Sequence, residues 1–497
     1  MIRSVVIKPY RISSEEDAVV VPLCRGDDGR ASDPGLDRAA RAAIAAEYGK
    51  RAFSGSLGET LLLPAPSRRS APLLLVGLGE RAGMDAETVA IAAGAAARAL
   101  DARRVRSAGV LVRPRVAGDD PSLFVGAFVK GFALGLYRYH LRQKRPRATS
   151  LHRLAVRTEA ARARAVTAVA RARVVSEHAS FVRDLVNAPS NRLTPTRMAA
   201  EAAALCKKHG VACRVMGRRE MEREGMGAIL GVARGSVEAP RLLVMEYGRR
   251  HAKAPQVCLV GKGVTFDSGG ISLKPWEKMN EMKGDMAGGA TVVGALTAAA
   301  RLGLPLRVLG VVPCVENMPD AGALKPGDVI TTCAGKTVEI ITTDAEGRLI
   351  LADAIAFARR RFAPDVIVDF ATLTGAVLVA LGTRIAGVFG NSQPHVDRLL
   401  EAGREVGEPA WQLPLDEHFN KSVEGDIADF KNYSGRNGSS ITAAALIGKF
   451  AEDTPWIHVD IAGTFWSDSA GPPHHVRGAT GYGVDLALRF LERTAGV

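Results

Sequence analysis

A chain of 497 residues exceeds what one ordinary hydrophobic core accommodates, and 47% hydrophobic residues with 52 glycines suit packed α/β domains and exclude a disordered chain. The net charge of +14 sits at one end: residues 1–180 hold 30 Lys/Arg against 17 Asp/Glu, and the remainder is nearly balanced at 36 against 35. Six scattered cysteines without a C-x-x-C pair, an N-terminus lacking the apolar run of a signal peptide, and apolar stretches of strand length argue against a disulfide scaffold or a membrane span, so a cytoplasmic protein is expected.

Strand-like and helix-like patterns alternate along the first third: strand 17–23, helix 33–48, strand 72–77, helix 85–100, strand 106–112 and helix 121–137. They predict a basic α/β domain over 1–165. Residues 159–187 read as one long helix ending before Pro189, of which 166–187 is expected to link to a second domain at 188–497. Arginines are densest from Arg103 to Arg173 and sharpest in HLRQKRPR, 140–147. This run reads as a solvated loop and helix, because no aromatic residues interleave and no nucleic-acid motif accompanies it. The alternative is a DNA-binding or regulatory role through Arg142, Lys144, Arg145 and Arg147.

The second part predicts strands 241–246, 256–264, 306–314, 337–341, 366–370, 385–390 and 456–461, with helices such as 286–302, 349–361 and 442–452 between them. The expected fold is therefore α/β in two domains, each a central, mostly parallel or mixed sheet flanked by helices. Sites in such sheets lie at the carboxyl ends of strands, where three charged motifs fall.

The first motif is GKGVTFDSGG (261–270) with Lys274; it is neither a P-loop nor a dinucleotide fingerprint, since Phe266 stands where the third glycine belongs. The second is MNEMKGD (279–285), whose Asp285 could simply cap the following helix. The third is TTDAEGRL (342–349). If extended, it directs Asp344 and Glu346 to one side with Arg348 beyond. Like charges so placed repel unless a cation neutralises them. Four carboxylates (Asp267, Asp285, Asp344, Glu346) match the charge of two divalent ions, and an oxygen-rich set suits Mn2+, Mg2+ or Zn2+. All ten histidines lie outside these motifs, and H-E-x-x-H is absent. The pair His474–His475 could ligate, but its glycine- and proline-flanked setting reads as a loop.

These motifs resemble the leucyl aminopeptidase family of metallopeptidases, family M17. The family's G-K-G-x-T-F-D-S-G-G and N-T-D-A-E-G-R-L signatures stand here as GKGVTFDSGG and TTDAEGRL. ENMPDAGALKPGDV (316–329), DFATLTGA (369–376), ITAAAL (441–446), WIHVDIAGT (456–464) and GATGYGV (478–484) follow in order. The resemblance spans about 175–493; earlier it rests on fragments such as LLLVGLG (73–79).

The resemblance implies hydrolysis of N-terminal residues, leucine and similar, from peptides by a hydroxide bridging two metal ions, Mn2+ or Zn2+. Asp267 and Glu346 would bridge the ions, Lys262 and Asp285 would complete the tighter site, and Asp344 the more exchangeable one. Lys274 would stabilise the oxyanion, and Arg348 would hold a bicarbonate ion serving as general base. Met282, Thr372, Leu373 and Gly375 would bind substrate, and the family's assembly is a homohexamer. One departure is Thr342, where the family has Asn. An altered side-chain preference or bond network is expected there, with the chemistry retained. A two-metal phosphoesterase is the remaining competitor, disfavoured by the peptidase motifs.

Overall fold

Strand β2 (Ala18–Leu23) reads AVVVPL and is buried at every position, as a central strand covered on both faces must be. The structure, a computed structural model, describes residues 2–27, 33–68, 70–113, 120–141, 148–468 and 477–497. Arg142, Lys144, Arg145, Arg147, His474 and His475 lie outside the described residues.

The chain divides into two compact units, the first consisting chiefly of Met1–Ser180. Its sheet has six strands in the order β1-β6-β5-β2-β4-β3, with β1 Ser4–Lys8, β3 Thr60–Leu63, β4 Leu73–Gly77, β5 Ser107–Leu111 and β6 Arg153–Arg157. All pairings are parallel except that of the edge strand β3 with β4. Side chains alternate across β2. Val19, Val21 and Leu23 join the core under α1 (Arg38–Gly49). Ala18 and Val20 join the core with α2 (Ala86–Ala102) and α3 (Pro121–Gly135). The helix predicted over 33–48 starts only at Arg38. Asp37 caps it by accepting from Ala40 N at 2.7 Å, and Asp33 instead pairs with Arg113 Nε at 2.6 Å. The predicted long helix is α4 (Arg162–Asn187), and the boundary between the units falls inside it, at Ser180.

The second unit is built on a nine-stranded mixed sheet. In chain order its strands are β7 Ala212–Met216, β8 Arg241–Tyr247, β9 Gln256–Gly261, β10 Gly263–Asp267 and β11 Arg307–Asn317, then, after β12 Val329–Thr331 and β13 Thr337–Glu339 of a smaller sheet, β14 Val366–Ala371, β15 Ala386–Gly390, β16 Ala410–Gln412 and, after β17 Phe430–Lys431 of that smaller sheet, β18 Trp456–Asp460. The path runs β16-β15-β18-β14-β9-β11-β8-β7, with β10 added alongside β11. The single strand expected over 256–264 is thus two. It breaks at Lys262, where β9 leaves its pairing with β14 and β10 continues on β11 alone.

Helix α5 (Ala287–Leu302) is buried through Ala299, which explains its run of Ala, Gly, Thr and Val: a helix covered on all sides close to a sheet has no room for long side chains. Helix α6 (Glu346–Phe362) is equally buried through Ala358 and ends in Arg359, Arg360 and Arg361, which suit its negative C-terminal dipole. Its N-terminus and that of α5 both face the carboxyl ends of β9, β10 and β14, where the motif residues gather.

Candidate active site

Lys262 occupies the break between β9 and β10. Its amide donates to Phe370 O of β14 at 3.0 Å, and its carbonyl accepts from Gly289 N of α5 at 2.7 Å. The backbone is thereby fixed and the side chain, 3% exposed, enters the interior. Its Nζ lies 2.8 Å from Asp285 Oδ2, 2.8 Å from Glu346 Oε1 and 3.0 Å from Thr372 O. Burial works against the ammonium, but the carboxylates of Asp285, Glu346 and Asp267 prevail and push Lys262 above its ordinary value.

Asp267 ends β10 opposite Asn317, which ends β11. Its Oδ1 accepts from Gly269 N at 2.9 Å and Asn317 Nδ2 at 2.8 Å, while its Oδ2 pairs with Lys274 Nζ at 2.8 Å. Asn317 Nδ2 also donates to Thr343 O at 3.0 Å, so one amide joins the first and third motifs. The turn after Asp267 needs left-handed backbone at Gly269 (φ 89°) and Gly270 (φ 64°). A side chain at Gly270 would strike Asn317 Oδ1 and Thr343 Oγ1.

Asp285 does not cap α5. Met286 is the residue at that cap, and Asp285 is turned inward to Lys262 and to the Thr372 hydroxyl, 2.8 Å from its Oδ1. Nor is the third motif extended: β13 stops at Glu339, and Glu346 already opens α6. Asp344 and Glu346 nevertheless converge, because the irregular segment between strand and helix turns Asp344 toward the helix start. One oxygen each from Asp267, Asp344 and Glu346 lie within 4.8 Å of one another. Asp344 is the exposed member and pairs with Lys274. Burial first, then the neighbouring carboxylates, push Asp285, Glu346 and Asp344 up against the pull of the lysines.

A divalent cation fits this donor set. Glu346 Oε2 is buried and has no hydrogen-bond partner among the described residues, although a buried carboxylate oxygen is costly to leave unsatisfied. Lys274, partly exposed, is pushed up by Asp267, Glu346 and Asp344 against its burial, and it keeps its charge at the edge of the cluster. Arg348, in the first turn of α6, donates from Nη1 to Asn432 O at 2.8 Å, while its Nε is buried without a partner among the described residues. Burial brings it down to about 10.

The Thr372–Gly375 segment leaves the end of β14. Thr372 faces Asp285 and Lys262, Leu373 is half-buried with its side chain beside Gly347, and Gly375 opens an exposed short helix. Met282 lies on a 3-10 turn, Met279–Gly284, and is partly exposed.

Sequence reasoning missed several uncharged or deeply buried partners. Asp460, at the end of β18, accepts from Leu373 N at 3.1 Å and Thr374 Oγ1 at 2.7 Å. Behind it His458 Nδ1 meets Asp369 Oδ1 at 2.6 Å, and Trp456 Nε1 donates to Asp369 Oδ2 at 2.7 Å. Thr342, the departure from the family pattern, accepts from Asp344 N with its hydroxyl at 3.3 Å, a bond within the turn. Asn317, Asp460 and Thr343 stood inside matched motifs, but nothing in their chemistry marked them.

The profile of the cytosol aminopeptidase family's catalytic domain matches residues 180–488, and that of its N-terminal domain matches residues 20–145. The chain is similar to a probable cytosol aminopeptidase of Syntrophotalea carbinolica, 43% identical over 464 residues covering 92% of this chain and 93% of the relative. It is 42% identical to a probable cytosol aminopeptidase of Geobacter sulfurreducens over 465 residues, 92% of each chain. Among solved structures, the bottromycin maturation enzyme BotP in complex with Mn superposes with a TM-score of 0.85 at 35% identity, covering 97% of this chain and all of that one. With matches running from the first sheet to the last helix, the chain belongs to the cytosol aminopeptidase family, M17, and is a hydrolase of that family.

Proposed function

We propose that this aminopeptidase works with two divalent cations, Mn2+ or Zn2+, and removes leucine and similar residues from the N-termini of peptides. The observation that carries this is the meeting of Asp267, Asp344 and Glu346 oxygens within 4.8 Å, with a buried Glu346 oxygen that has no hydrogen-bond partner among the described residues. Lys262, Asp267, Asp285, Asp344 and Glu346 would hold the ions, Lys262 as the neutral amine, because two adjacent dications would overturn the preference for the ammonium that the carboxylates alone create. When bound, such ions activate water near neutral pH and polarise a carbonyl.

The chain's own residues do the rest. Lys274 holds an ammonium beside Asp267 and Asp344, where it stabilises charge developing on the scissile carbonyl oxygen, a contribution of about 3–4 kcal/mol. Arg348, whose Nε is buried without a partner among the described residues, would hold a small oxyanion, bicarbonate in this reading, which when bound would supply a base. The Leu373 carbonyl orients the substrate main chain, Met282 lines the pocket for its first side chain, and Thr372 and Gly375 frame the same segment. The reading extends to a cytoplasmic homohexamer, supported by family membership; among the described residues no helix is long and apolar enough to cross a membrane.

The test is hydrolysis of leucine amide by the purified protein with Mn2+. Glu346→Ala is expected to cut turnover by at least about 100-fold while leaving the circular dichroism spectrum unchanged. Undiminished turnover in that variant overturns the assignment.

A further inference from the structure

The segment that carries Asp344 belongs to neither strand nor helix. Between the end of β13 at Glu339 and the start of α6 at Glu346 its main chain must find hydrogen bonds elsewhere. Asn432, about ninety residues further along the chain, supplies those of residues 341, 342 and 345, while Thr343 is held by Ser272 and Asn317. Its side-chain oxygen accepts from Ile341 N at 2.8 Å and Thr342 N at 3.3 Å, and its amide nitrogen donates to Thr342 O at 2.7 Å and Ala345 O at 3.5 Å. Two donors face one end of the amide and two acceptors the other, so its orientation is determined by the partners. Its own amide donates to Glu339 O at 2.9 Å, prolonging the β13–β17 pairing by one residue, and its carbonyl accepts from Arg348 Nη1 at 2.8 Å. The residue is fully buried.

We propose that Asn432 is a positioning residue: it clamps residues 341–345 so that Asp344 and Glu346 face a shared cation, and it ties that segment to Arg348. The inference rests on the two-cation reading above. It is specific to one side of the cluster. Asp285 and Lys262 are held by Thr372, and Asp267 by Gly269 and Asn317, none of them through Asn432. Asp344 is the exposed member, held by Lys274, by its own turn and, through the neighbouring Thr343, by Asn317, Ser272 and Gly269. Loss of the clamp therefore loosens Asp344, leaving it only Lys274, its turn and the Thr343 anchors, and leaves the Asp285 side in place. Removing an outer partner of a metal ligand commonly weakens the ion by about 10- to 100-fold.

Calorimetric titration of the metal-free full-length protein with Mn2+ alone tests this, alongside thermal melting without metal. The wild type is expected to take up two ions. Asn432→Ala is expected to bind one within about threefold of wild type and the other at least about tenfold more weakly. Asn432→Asp preserves the volume and the accepting arm but loses the donors to Thr342 O and Ala345 O. Its added negative charge would by itself tighten a cation, so weakening in this variant reports lost geometry. If both ions bind as in wild type to a variant whose melting temperature has fallen, or if both are weakened equally, the proposal is overturned. A wild-type protein that takes up no Mn2+ overturns the two-cation reading, and this one with it.

Discussion

Thr372 donates its hydroxyl to Asp285 Oδ1 at 2.8 Å, and its carbonyl accepts from Lys262 Nζ at 3.0 Å. One residue thus orients both members of the pair assigned to the tighter ion. Thr372→Val keeps the shape, leaves the carbonyl contact and removes only the hydroxyl. Mn2+ affinity at one site is expected to fall about tenfold, as for other outer partners of metal ligands. A KM increase with unchanged Mn2+ affinity would place Thr372 on the substrate instead.

The central strands were legible because buried parallel strands are written as continuous Val, Leu and Ile, as in AVVVPL or QVCLVG. Edge strands were not. SVVIK of β1 and TLLL of β3 are partly exposed, and their short patterns do not separate them from loops. The charged members of the site stood out because carboxylates at strand ends demand a counter-charge. What could not be read was the manner of convergence: an extended motif was expected from Asp344 to Glu346, yet Glu346 lies in a helix. The bend depends on Asn432, which no local pattern connects to residues 341–345. Asp460 was equally hidden, since a buried carboxylate bound to backbone amides has the same sequence signal as a strand-end cap.

Gly347 tests how tightly Lys262 is packed. It is the second residue of α6, where alanine is intrinsically favoured by up to about 1 kcal/mol. A Cβ there would come 2.7 Å from Lys262 Cε, 2.9 Å from its Nζ and 3.0 Å from Leu373 Cδ1. Lys262 cannot swing aside without breaking its contacts to Asp285, Glu346 and Thr372. Overpacking of this kind costs about 1–3 kcal/mol, more than the helix propensity returns, so Gly347→Ala is expected to lower the melting temperature and to lower leucine amide hydrolysis at least about tenfold. Full activity would show that the lysine is not held as the distances imply.

Asp460 fixes the strand-end segment from the opposite side, through Leu373 N and Thr374 Oγ1. Thr374→Val removes one of these bonds, together with the cap its hydroxyl forms by accepting from Val377 N at 3.3 Å, and leaves the other. A hydrogen bond of this kind contributes about 1 kcal/mol net. In the proposed reading the segment orients substrate main chain in ground and transition states alike, so the loss is expected in KM, about fivefold, with kcat within twofold. A fall in kcat with constant KM would contradict this role.

Asp353 gives a pH signature away from the site. It lies fully buried in α6 and accepts from Ala228 N at 2.9 Å, Ile229 N at 3.0 Å and Cys333 N at 2.7 Å. Burial pushes its carboxyl up to about 6 despite the three amides that favour the charged form. In the unfolded chain the group titrates at its ordinary 3.8, so between about pH 4 and pH 6 the folded state binds more protons. The stability contributed by the protonated group is therefore complete below pH 4 and is lost as pH rises through 6, by roughly 3 kcal/mol for a shift of this size. Other carboxylates titrate in the same window, so the measurement is a difference: denaturant unfolding of wild type minus Asp353→Asn at each pH. That difference is expected to decline from pH 4 to pH 6.5 and then level off. Parallel stability curves for the two proteins would mean that Asp353 is ionised throughout, held by its amides against the cost of burial.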